Sequence, residues 1–151
     1  VGEGPFTAEM FGEEAEKLRN AGGEYGAATG RPRRVGPFDV PASRYGVEVQ
    51  GADSIALTKL DVLAYLDKIP VCVAYEIDGE VTTTFPTGEK LNRAKPVVEY
   101  LEGFGDVSKC RKYEELPQAA KDYISYLEKA VGCRIEYVSV GPDREEYIKI
   151  G

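Results

Sequence analysis

One pair of residues, Asp78-Gly79, constrains the fold of this chain more than any other feature of its sequence. The pair separates two runs rich in β-branched and aromatic side chains, residues 71–77 and 80–85. A two-residue connection of this kind needs left-handed backbone at its centre, and its twist matches that of two antiparallel strands. The sequence therefore predicts an antiparallel β-hairpin over residues 71–85.

Three other segments have the apolar spacing of helices that pack one face against a core. Thr7 is a candidate N-cap for the first helix, and Gly22-Gly23 is a candidate stop. Asp39 is a candidate N-cap for the second helix, and Pro117 opens the third. The predicted apolar faces consist of Phe11, Ala15 and Leu18 in the first helix, of Ala42, Tyr45 and Val49 in the second, and of Ala120, Ile124, Leu127 and Val131 in the third.

Short apolar runs of strand length alternate with these helices. They occupy residues 54–58, 97–101, 134–139 and 147–150. This alternation predicts an α/β fold, with a mixed, partly parallel sheet flanked by helices and an added antiparallel β-hairpin. Ligands bind such sheets at the carboxyl ends of strands. Two of these ends are residues 58–61 and 139–141, which makes them candidate binding segments.

The charge balance and the lack of histidine limit the functions open to this chain. It carries 19 Lys and Arg against 26 Asp and Glu, a net charge of -7, which argues against a nucleic-acid or anionic-membrane surface. Without histidine, these 151 residues contain no His-based catalysis and no His metal ligand. No apolar run approaches the roughly 20 residues that span a bilayer. The three cysteines form no CxxC pair, which indicates a reduced, cytoplasmic compartment.

An arginine-rich segment, residues 26–34, stands out in this acidic sequence. Arg31, Arg33 and Arg34 lie close together in it, and guanidinium forks bind carboxylate and phosphate oxygens two at a time. Gly30 lets the backbone approach a ligand closely. The segment is therefore interpreted as a preordered clamp for a small ligand with several negative charges. The alternative, on residue types alone, is a solvated basic loop.

The two candidate segments at strand ends have a composition suited to a purine base. In residues 58–61 (TKLD), the Asp61 carboxylate can accept two parallel N–H donors, which the edge of guanine offers and that of adenine does not. The stem of Lys59 would lie along the base, and residues 139–141 (SVG) would close the other side with backbone groups. The alternatives are a solvated strand end for the first segment and a simple turn for the second.

Together with other short segments, these motifs resemble adenylosuccinate synthetase. The matching stretches, in order, are residues 1–6 (VGEGPF), 26–34 (GAATGRPRR), 57–63 (LTKLDVL), 72–75 (CVAY), 116–120 (LPQAA) and 139–144 (SVGPDR). Six matches in the same order are more specific than any single match. Together they extend over nearly the whole sequence. Residues 1–151 thus resemble the C-terminal part of that enzyme, within a larger α/β fold of the P-loop NTPase type. The opening residues, which lack Met, read as if cut from a longer protein.

The resemblance implies a step in purine biosynthesis, on the route to AMP. The family acts as a cytoplasmic homodimer that joins IMP and L-aspartate to form adenylosuccinate, with GTP and Mg²⁺. GTP phosphorylates the 6-oxygen of IMP, and the aspartate amine then displaces that phosphate. By resemblance, aspartate and IMP bind Ala27, Ala28, Thr29, Gly30, Arg31, Pro32 and Arg33, and GTP binds Arg33, Lys59, Leu60, Asp61, Ser139, Val140 and Gly141.

The sequence departs from the family pattern in two respects. Ala28 stands where the family has a threonine, so one hydroxyl that could bond the substrate is missing. The sequence also lacks the family's Gly-rich phosphate loop, its magnesium-binding Asp and its catalytic His, so no catalytic or metal-binding residue is predicted here. We therefore expect no synthetase activity from the 151-residue polypeptide by itself. The alternatives are a non-catalytic guanine-nucleotide or anion-binding module, and an unrelated α/β protein whose arginine loop docks a protein partner.

Overall fold

The computed structural model describes residues 1–2 and 4–150, and the chain divides into two units. The first unit consists of Val1–Ala42 and Pro70–Glu99, and the second of Ser43–Ile69 and Tyr100–Gly151. The helices are α1 (Gly12–Gly22), α2 (Val40–Gln50), α3 (Glu89–Arg93) and α4 (Gln118–Val131), with short 3-10 helices at Leu60–Tyr65 and Tyr113–Glu115. The strands are β1 (Phe38–Asp39), β2 (Ser54–Leu57), β3 (Lys68–Ile77), β4 (Glu80–Thr82), β5 (Lys95–Glu102), β6 (Arg134–Ser139) and β7 (Tyr147–Lys149).

β3 is the centre of a four-stranded sheet. β1 pairs with β3 in parallel, with Phe38 opposite Val71, and β5 also pairs with β3. β4 follows β3 as its antiparallel neighbour. Asp78 and Gly79, between these two strands, have φ values of 54° and 86°. The predicted hairpin is therefore confirmed, with both turn residues in left-handed backbone.

A partly buried polar contact lies beside the core of the first unit. The hydroxyl of Tyr75 donates to both carboxylate oxygens of Asp39, at 2.7 and 2.8 Å. Asp39 Oδ1 also accepts the backbone N–H of Ala42 at 3.1 Å, which confirms the predicted N-cap of α2. Burial raises the pKa of Asp39. Burial, together with the charge of Asp39, raises the pKa of the Cys72 thiol to about 12.

The second unit packs α4 against a three-stranded sheet. β6 lies in the middle of this sheet, with β2 parallel on one side and β7 antiparallel on the other. The four apolar residues predicted for the third helix are all buried in α4, and so are Ile135, Val138 and Ile148 on the strands. Because β2 and β6 run parallel, their carboxyl ends lie at the same edge of the sheet. The mixed α/β class expected from the sequence is confirmed, although the strands are divided between two sheets.

The first helix begins later than the sequence predicts. α1 starts at Gly12, with Phe11 in the N-cap position and no side chain bonded to the helix N-terminus. Thr7 does not cap the helix, because it lies four residues before the N-cap position. Phe11 is 78% exposed, and of the predicted apolar face only Ala15 is fully buried. The predicted stop is confirmed by left-handed backbone directly after the helix.

The second helix has the predicted position but packs a different surface. Val40 and Pro41, in its first turn, are buried. Tyr45 and Val49 are both exposed, Val49 by 66%. Apolar spacing therefore identified this helix but not its packed residues, because burial depends on which distant segment covers each side. Three elements, β1, α3 and the 3-10 helix Tyr113–Glu115, were not predicted at all.

Gly132, directly after α4, provides a stability test for the second unit. Its φ is 74°, and its N–H donates to the carbonyl of Glu128 at 2.9 Å. We expect Gly132→Ala to lower the free energy of unfolding by about 1 kcal/mol, because a Cβ is strained in left-handed backbone. Gly132→Asn is the matched control and should lose less, since Asn tolerates this conformation. Equal losses in urea titrations of the two variants would contradict this explanation.

Within residues 1–2 and 4–150, neither disulfides nor bilayer-spanning helices contribute to the fold. Cys72, Cys110 and Cys133 are all free thiols, and the first and last are buried. None of the helices described has the length and apolar character needed to cross a membrane.

Candidate functional site

The arginine segment of the first unit folds into a tight loop closed by backbone hydrogen bonds. The N–H of Gly30 donates to the carbonyl of Gly26 at 2.8 Å, and the N–H of Gly26 donates to the carbonyl of Arg31 at 2.9 Å. Gly30 has a φ of 65°, which residues with a side chain rarely adopt. Tyr25 and Pro32 form a β-bridge at the base of the loop. The loop is thus held in one shape while its tip is exposed to solvent.

Arg33 supports this loop and also exposes part of its guanidinium. Its backbone N–H donates to the carbonyl of Glu24 at 2.9 Å, and its Nη1 lies 2.9 Å from Glu24 Oε2. Its carbonyl accepts the Nε–H of Arg19 at 2.8 Å. The side chain of Arg33 is nevertheless 47% exposed. One ion pair therefore fixes the side chain while leaving donors for a further anion.

Arg34 does not belong to the predicted clamp, because it holds the N-terminal segment instead. Its Nε and Nη2 donate to the carbonyls of Gly2 and Gly4 at 3.0 and 2.6 Å. Its Nη1 pairs with Glu9 at 3.3 Å, and its guanidinium lies 5.9 Å from the centroid of the Phe6 ring. All three guanidinium nitrogens of Arg34 therefore donate to groups of the N-terminal segment. Of the three arginines in the predicted clamp, Arg34 is therefore bonded within the fold, and the clamp stays a prediction for Arg31 and Arg33.

The tip of the loop contains Ala28 and Thr29, and it is shaped by a contact between Thr29 and Arg31. Thr29 Oγ1 accepts the backbone N–H of Arg31 at 3.3 Å. A Cβ at Gly26 would lie 2.8 Å from the same oxygen, so the threonine hydroxyl sits inside the turn. Ala28 is exposed and presents only a methyl group. The one hydroxyl at the tip thus helps to shape the loop.

The two strand-end segments of the second unit meet at one edge of the sheet. β2 and β6 are parallel neighbours, with Leu57 opposite Val138 near their ends. Beyond these residues, the backbone N–H of Lys59 donates to Ser139 Oγ at 2.7 Å. Lys59 has a φ of 60°, left-handed backbone that a lysine seldom adopts. The serine hydroxyl therefore helps to hold an unfavourable backbone conformation two residues before Asp61.

Asp61 carries a buried carboxylate oxygen that no group of the described protein satisfies. It lies in the first turn of the 3-10 helix Leu60–Tyr65, which is anchored by the buried side chain of Leu60. Among residues 1–2 and 4–150, Asp61 Oδ1 is the one buried side-chain oxygen or nitrogen without a hydrogen-bond partner. Leaving such an atom unpaired costs about 1–3 kcal/mol or more for a charged group. A hydrogen-bond donor within reach of Oδ1 would remove this cost.

The loop after β6 is held by Glu146, which sequence reasoning missed. The N–H of Val140 donates to the backbone carbonyl of Glu146 at 2.9 Å, and Val140 is fully buried. A Cβ at Gly141 would lie only 2.1 Å from Glu146 Oε2. Arg111 Nη2 pairs with the other carboxylate oxygen at 3.3 Å. No sequence pattern marked Glu146 or Arg111, because their contacts with the loop appear only once the chain is folded.

The predicted site residues are divided between the two units. Those predicted for aspartate and IMP lie in the first unit, and those predicted for GTP, apart from Arg33, lie in the second. Within the second unit, the segments around Lys59 and Ser139 are in direct hydrogen-bond contact. Each unit therefore contains one coherent group of candidate residues.

The described part of the chain contains no cluster of side chains that could bind a magnesium ion. Within residues 1–2 and 4–150, no group of three or more His, Cys, Asp or Glu side chains could hold a metal ion. Mg²⁺ in proteins is held by oxygen ligands, carboxylates and phosphates foremost. The residues present do not fit a metal site, so no chemical step is assigned to a metal in this chain.

Comparison with known proteins identifies the family of this chain. Residues 1–148 match the protein-family model of adenylosuccinate synthetase. The chain belongs to the adenylosuccinate synthetase family. The resemblance drawn from the sequence motifs is thereby confirmed, and an unrelated α/β protein is excluded.

Relatives show how much of a synthetase this chain represents. The adenylosuccinate synthetase of Aquifex aeolicus (strain VF5) is 51% identical over 150 residues, which cover 98% of this chain and 35% of that protein. That of Fusobacterium nucleatum subsp. nucleatum is 47% identical, over 99% of this chain and 36% of the relative. A solved structure of fully ligated adenylosuccinate synthetase from Plasmodium falciparum matches with a TM-score of 0.92 and 38% identity, over 100% of this chain and 37% of its own. The chain therefore spans 35–37% of the length of these relatives.

Proposed function

We propose that this chain supplies the guanine-binding loops and the aspartate and IMP loop of an adenylosuccinate synthetase. The complete reaction joins IMP and L-aspartate to adenylosuccinate and converts GTP to GDP and phosphate. The single observation that carries this proposal is the unpaired, buried oxygen of Asp61 at the edge where β2 and β6 end. Because the chain belongs to this family, guanine is the base whose N–H donors best match the Asp61 carboxylate.

Guanine recognition follows from the chemistry of these loops. A carboxylate at Asp61 accepts the ring N–H and the exocyclic amine of guanine, which form a parallel pair of donors. Adenine has an acceptor at the ring position, so it would leave the carboxylate unpaired and be rejected. Lys59 provides an aliphatic stem beside the base, and residues 139–141 provide backbone groups on the other side. GTP is therefore the nucleotide expected at this edge.

The arginine loop supplies the positive charge that the other two substrates require. IMP carries a phosphate, and aspartate carries two carboxylates. Arg31 and Arg33 lie on a loop with fixed backbone, so little conformational entropy is lost when they bind such groups. In this proposal Arg31 lies between the aspartate carboxylate and IMP, and Arg33 serves the same anions and GTP. In this proposal the two arginines bind and orient IMP and aspartate. The phosphoryl group passes from GTP to the 6-oxygen of IMP, and the aspartate amine then displaces it as phosphate.

The same proposal includes the cellular setting and the limits of the chain. The family membership favours a cytoplasmic homodimer that uses Mg²⁺ with GTP. The sequence contains no Gly-rich phosphate loop, and the described residues contain no metal cluster. We therefore expect the 151-residue polypeptide alone to bind guanine nucleotides weakly and to turn over no substrate.

A coupled assay tests the proposal. The full-length synthetase that carries these residues should form adenylosuccinate only when GTP, IMP and aspartate are all present, and ATP should not replace GTP. The purified 151-residue chain is the control and should show no turnover. Equal use of ATP and GTP by the full-length enzyme would contradict the assignment of the guanine loops. Turnover by the isolated chain would contradict its expected inactivity.

A further inference from the structure

Glu146 closes the loop that follows β6 from three directions. Its carbonyl accepts the N–H of Val140 at 2.9 Å, and its own N–H donates to the carbonyl of Asp143 at 3.0 Å. Its carboxylate Oε2 accepts the N–H of Asp143 at 3.0 Å. Both backbone groups of one residue and its side chain are thus used to fix a single short loop.

The carboxylate of Glu146 also occupies space that only a glycine leaves open. A Cβ built on Gly141 would lie 2.1 Å from Oε2 and 2.5 Å from the carboxyl carbon of Glu146. Atoms cannot approach so closely. A side chain at position 141 and the carboxylate in its present position therefore exclude each other. The carboxylate of Glu146 therefore occupies a position that is open only next to a residue without a Cβ.

A second group anchors the carboxylate from the far side. Arg111 Nη2 lies 3.3 Å from Glu146 Oε1. Arg111 is itself held, because its Nη1 donates to the carbonyls of Ser108 and Cys110 at 2.6 and 2.9 Å, and its backbone N–H donates to Glu115 at 2.7 Å. The ion pair is partly exposed, so its own contribution to stability is small. Its effect is to restrict the carboxylate to one orientation.

We propose that Glu146 is a positioning residue for guanine recognition, which acts by holding the backbone of residues 139–141 in the geometry that the base requires. This inference rests on the proposed function. Glu146 does not contact the nucleotide in this proposal, because its carboxylate is engaged by Asp143 and Arg111. A loop that must present backbone groups to a planar base loses affinity when it is free to move, since the ordering entropy is then lost on binding.

Steady-state kinetics of the full-length synthetase test this role. We expect Glu146→Ala to raise the KM for GTP and the Kd for GDP by about tenfold, the effect of losing one hydrogen bond to a charged group. The KM values for IMP and aspartate should stay within about twofold. Glu146→Gln keeps an acceptor for the N–H of Asp143 and should recover part of the affinity. Glu145→Ala removes the neighbouring exposed carboxylate and is the matched control, expected to change none of these constants.

A double-mutant cycle with Gly141 separates positioning from general destabilisation. Gly141→Ala should raise the KM for GTP in the wild-type background, where the new methyl group displaces the carboxylate. In the Glu146→Ala background the same substitution should have at least about fivefold less effect, because the obstructing group is gone. Thermal unfolding confirms that each variant is folded, and GDP calorimetry gives the same comparison without turnover.

The outcomes separate this proposal from the one on which it rests. An unchanged KM for GTP in Glu146→Ala, an equal loss for all three substrates, or additive effects of the two substitutions would overturn the positioning role while leaving the guanine loops intact. A wild-type enzyme that shows no preference for GTP over ATP would instead overturn the proposed function, and this inference with it.

Discussion

Asp61→Asn in the full-length synthetase is expected to move the base preference from guanine toward xanthine. The substitution replaces one of two carboxylate acceptors by an amide donor. Xanthine carries a carbonyl oxygen where guanine carries its exocyclic amine, so the Asn amide and the xanthine edge form matched pairs. Loss of the charged acceptor should lower kcat/KM for GTP by about 100-fold, since two charge-assisted hydrogen bonds are affected. XTP should become the better substrate, as measured by kcat/KM for both nucleotides.

Asp53→Asn provides the control for this experiment. It makes the same chemical change at an exposed carboxylate of the same unit, and we expect the use of GTP and XTP to remain that of the wild type. Unchanged GTP use in Asp61→Asn would mean that the buried oxygen of Asp61 does not read the base. A loss of GTP use without any gain for XTP would point to a structural role for the carboxylate.

Arg31→Leu is expected to weaken the use of aspartate most among substitutions in the arginine loop. Leucine keeps much of the aliphatic volume but removes every donor and the charge. Loss of a buried, charge-assisted contact to a carboxylate corresponds to roughly 2–4 kcal/mol, or roughly 30- to 1,000-fold in kcat/KM for aspartate. The measurement is the initial rate as a function of aspartate concentration, at saturating GTP and IMP.

Two further variants make this result specific. Arg31→Lys keeps the charge but loses the planar fork, so its kcat/KM should fall between the wild type and Arg31→Leu. Arg93→Leu removes an exposed arginine of the same unit that pairs with Asp78, and aspartate use should not change. If Arg31→Leu and Arg93→Leu behaved alike, the loop would not bind the amino acid.

Turns and helix ends were the parts of the fold most readable from sequence. Asp78-Gly79 predicted the hairpin, and both residues have positive φ. Gly23 and Gly132 end α1 and α4 in left-handed backbone. Each of these features depends on a backbone conformation that glycine adopts without strain, so the residue type itself reports it.

The packed faces of the first two helices could not be read in the same way. Phe11 and Val49 are exposed although their spacing suggested burial. Burial is decided by segments far away in the chain, and periodicity within one helix does not contain that information. β1 has two residues and α3 has five, which is too short for any pattern to show.

The candidate site was partly readable for a related reason. The rule that ligands bind at strand ends pointed to residues 58–61 and 139–141, and a hydrogen bond joins these segments. Arg34 was wrongly counted as part of the clamp, and Glu146 was missed. Their roles follow from contacts with the N-terminal segment and with Gly141, and neither contact leaves a trace in local composition.

The hydrogen bond between Lys59 and Ser139 joins residues 80 positions apart. Closing so large a loop costs entropy before any contact offsets it, so this edge of the sheet should form late as the second unit folds. Partly folded molecules would then lack the contact between the two segments proposed to bind guanine. If the proposed function holds, a bound guanine nucleotide would favour the completed sheet by mass action, and ligand binding would then assist folding of the second unit.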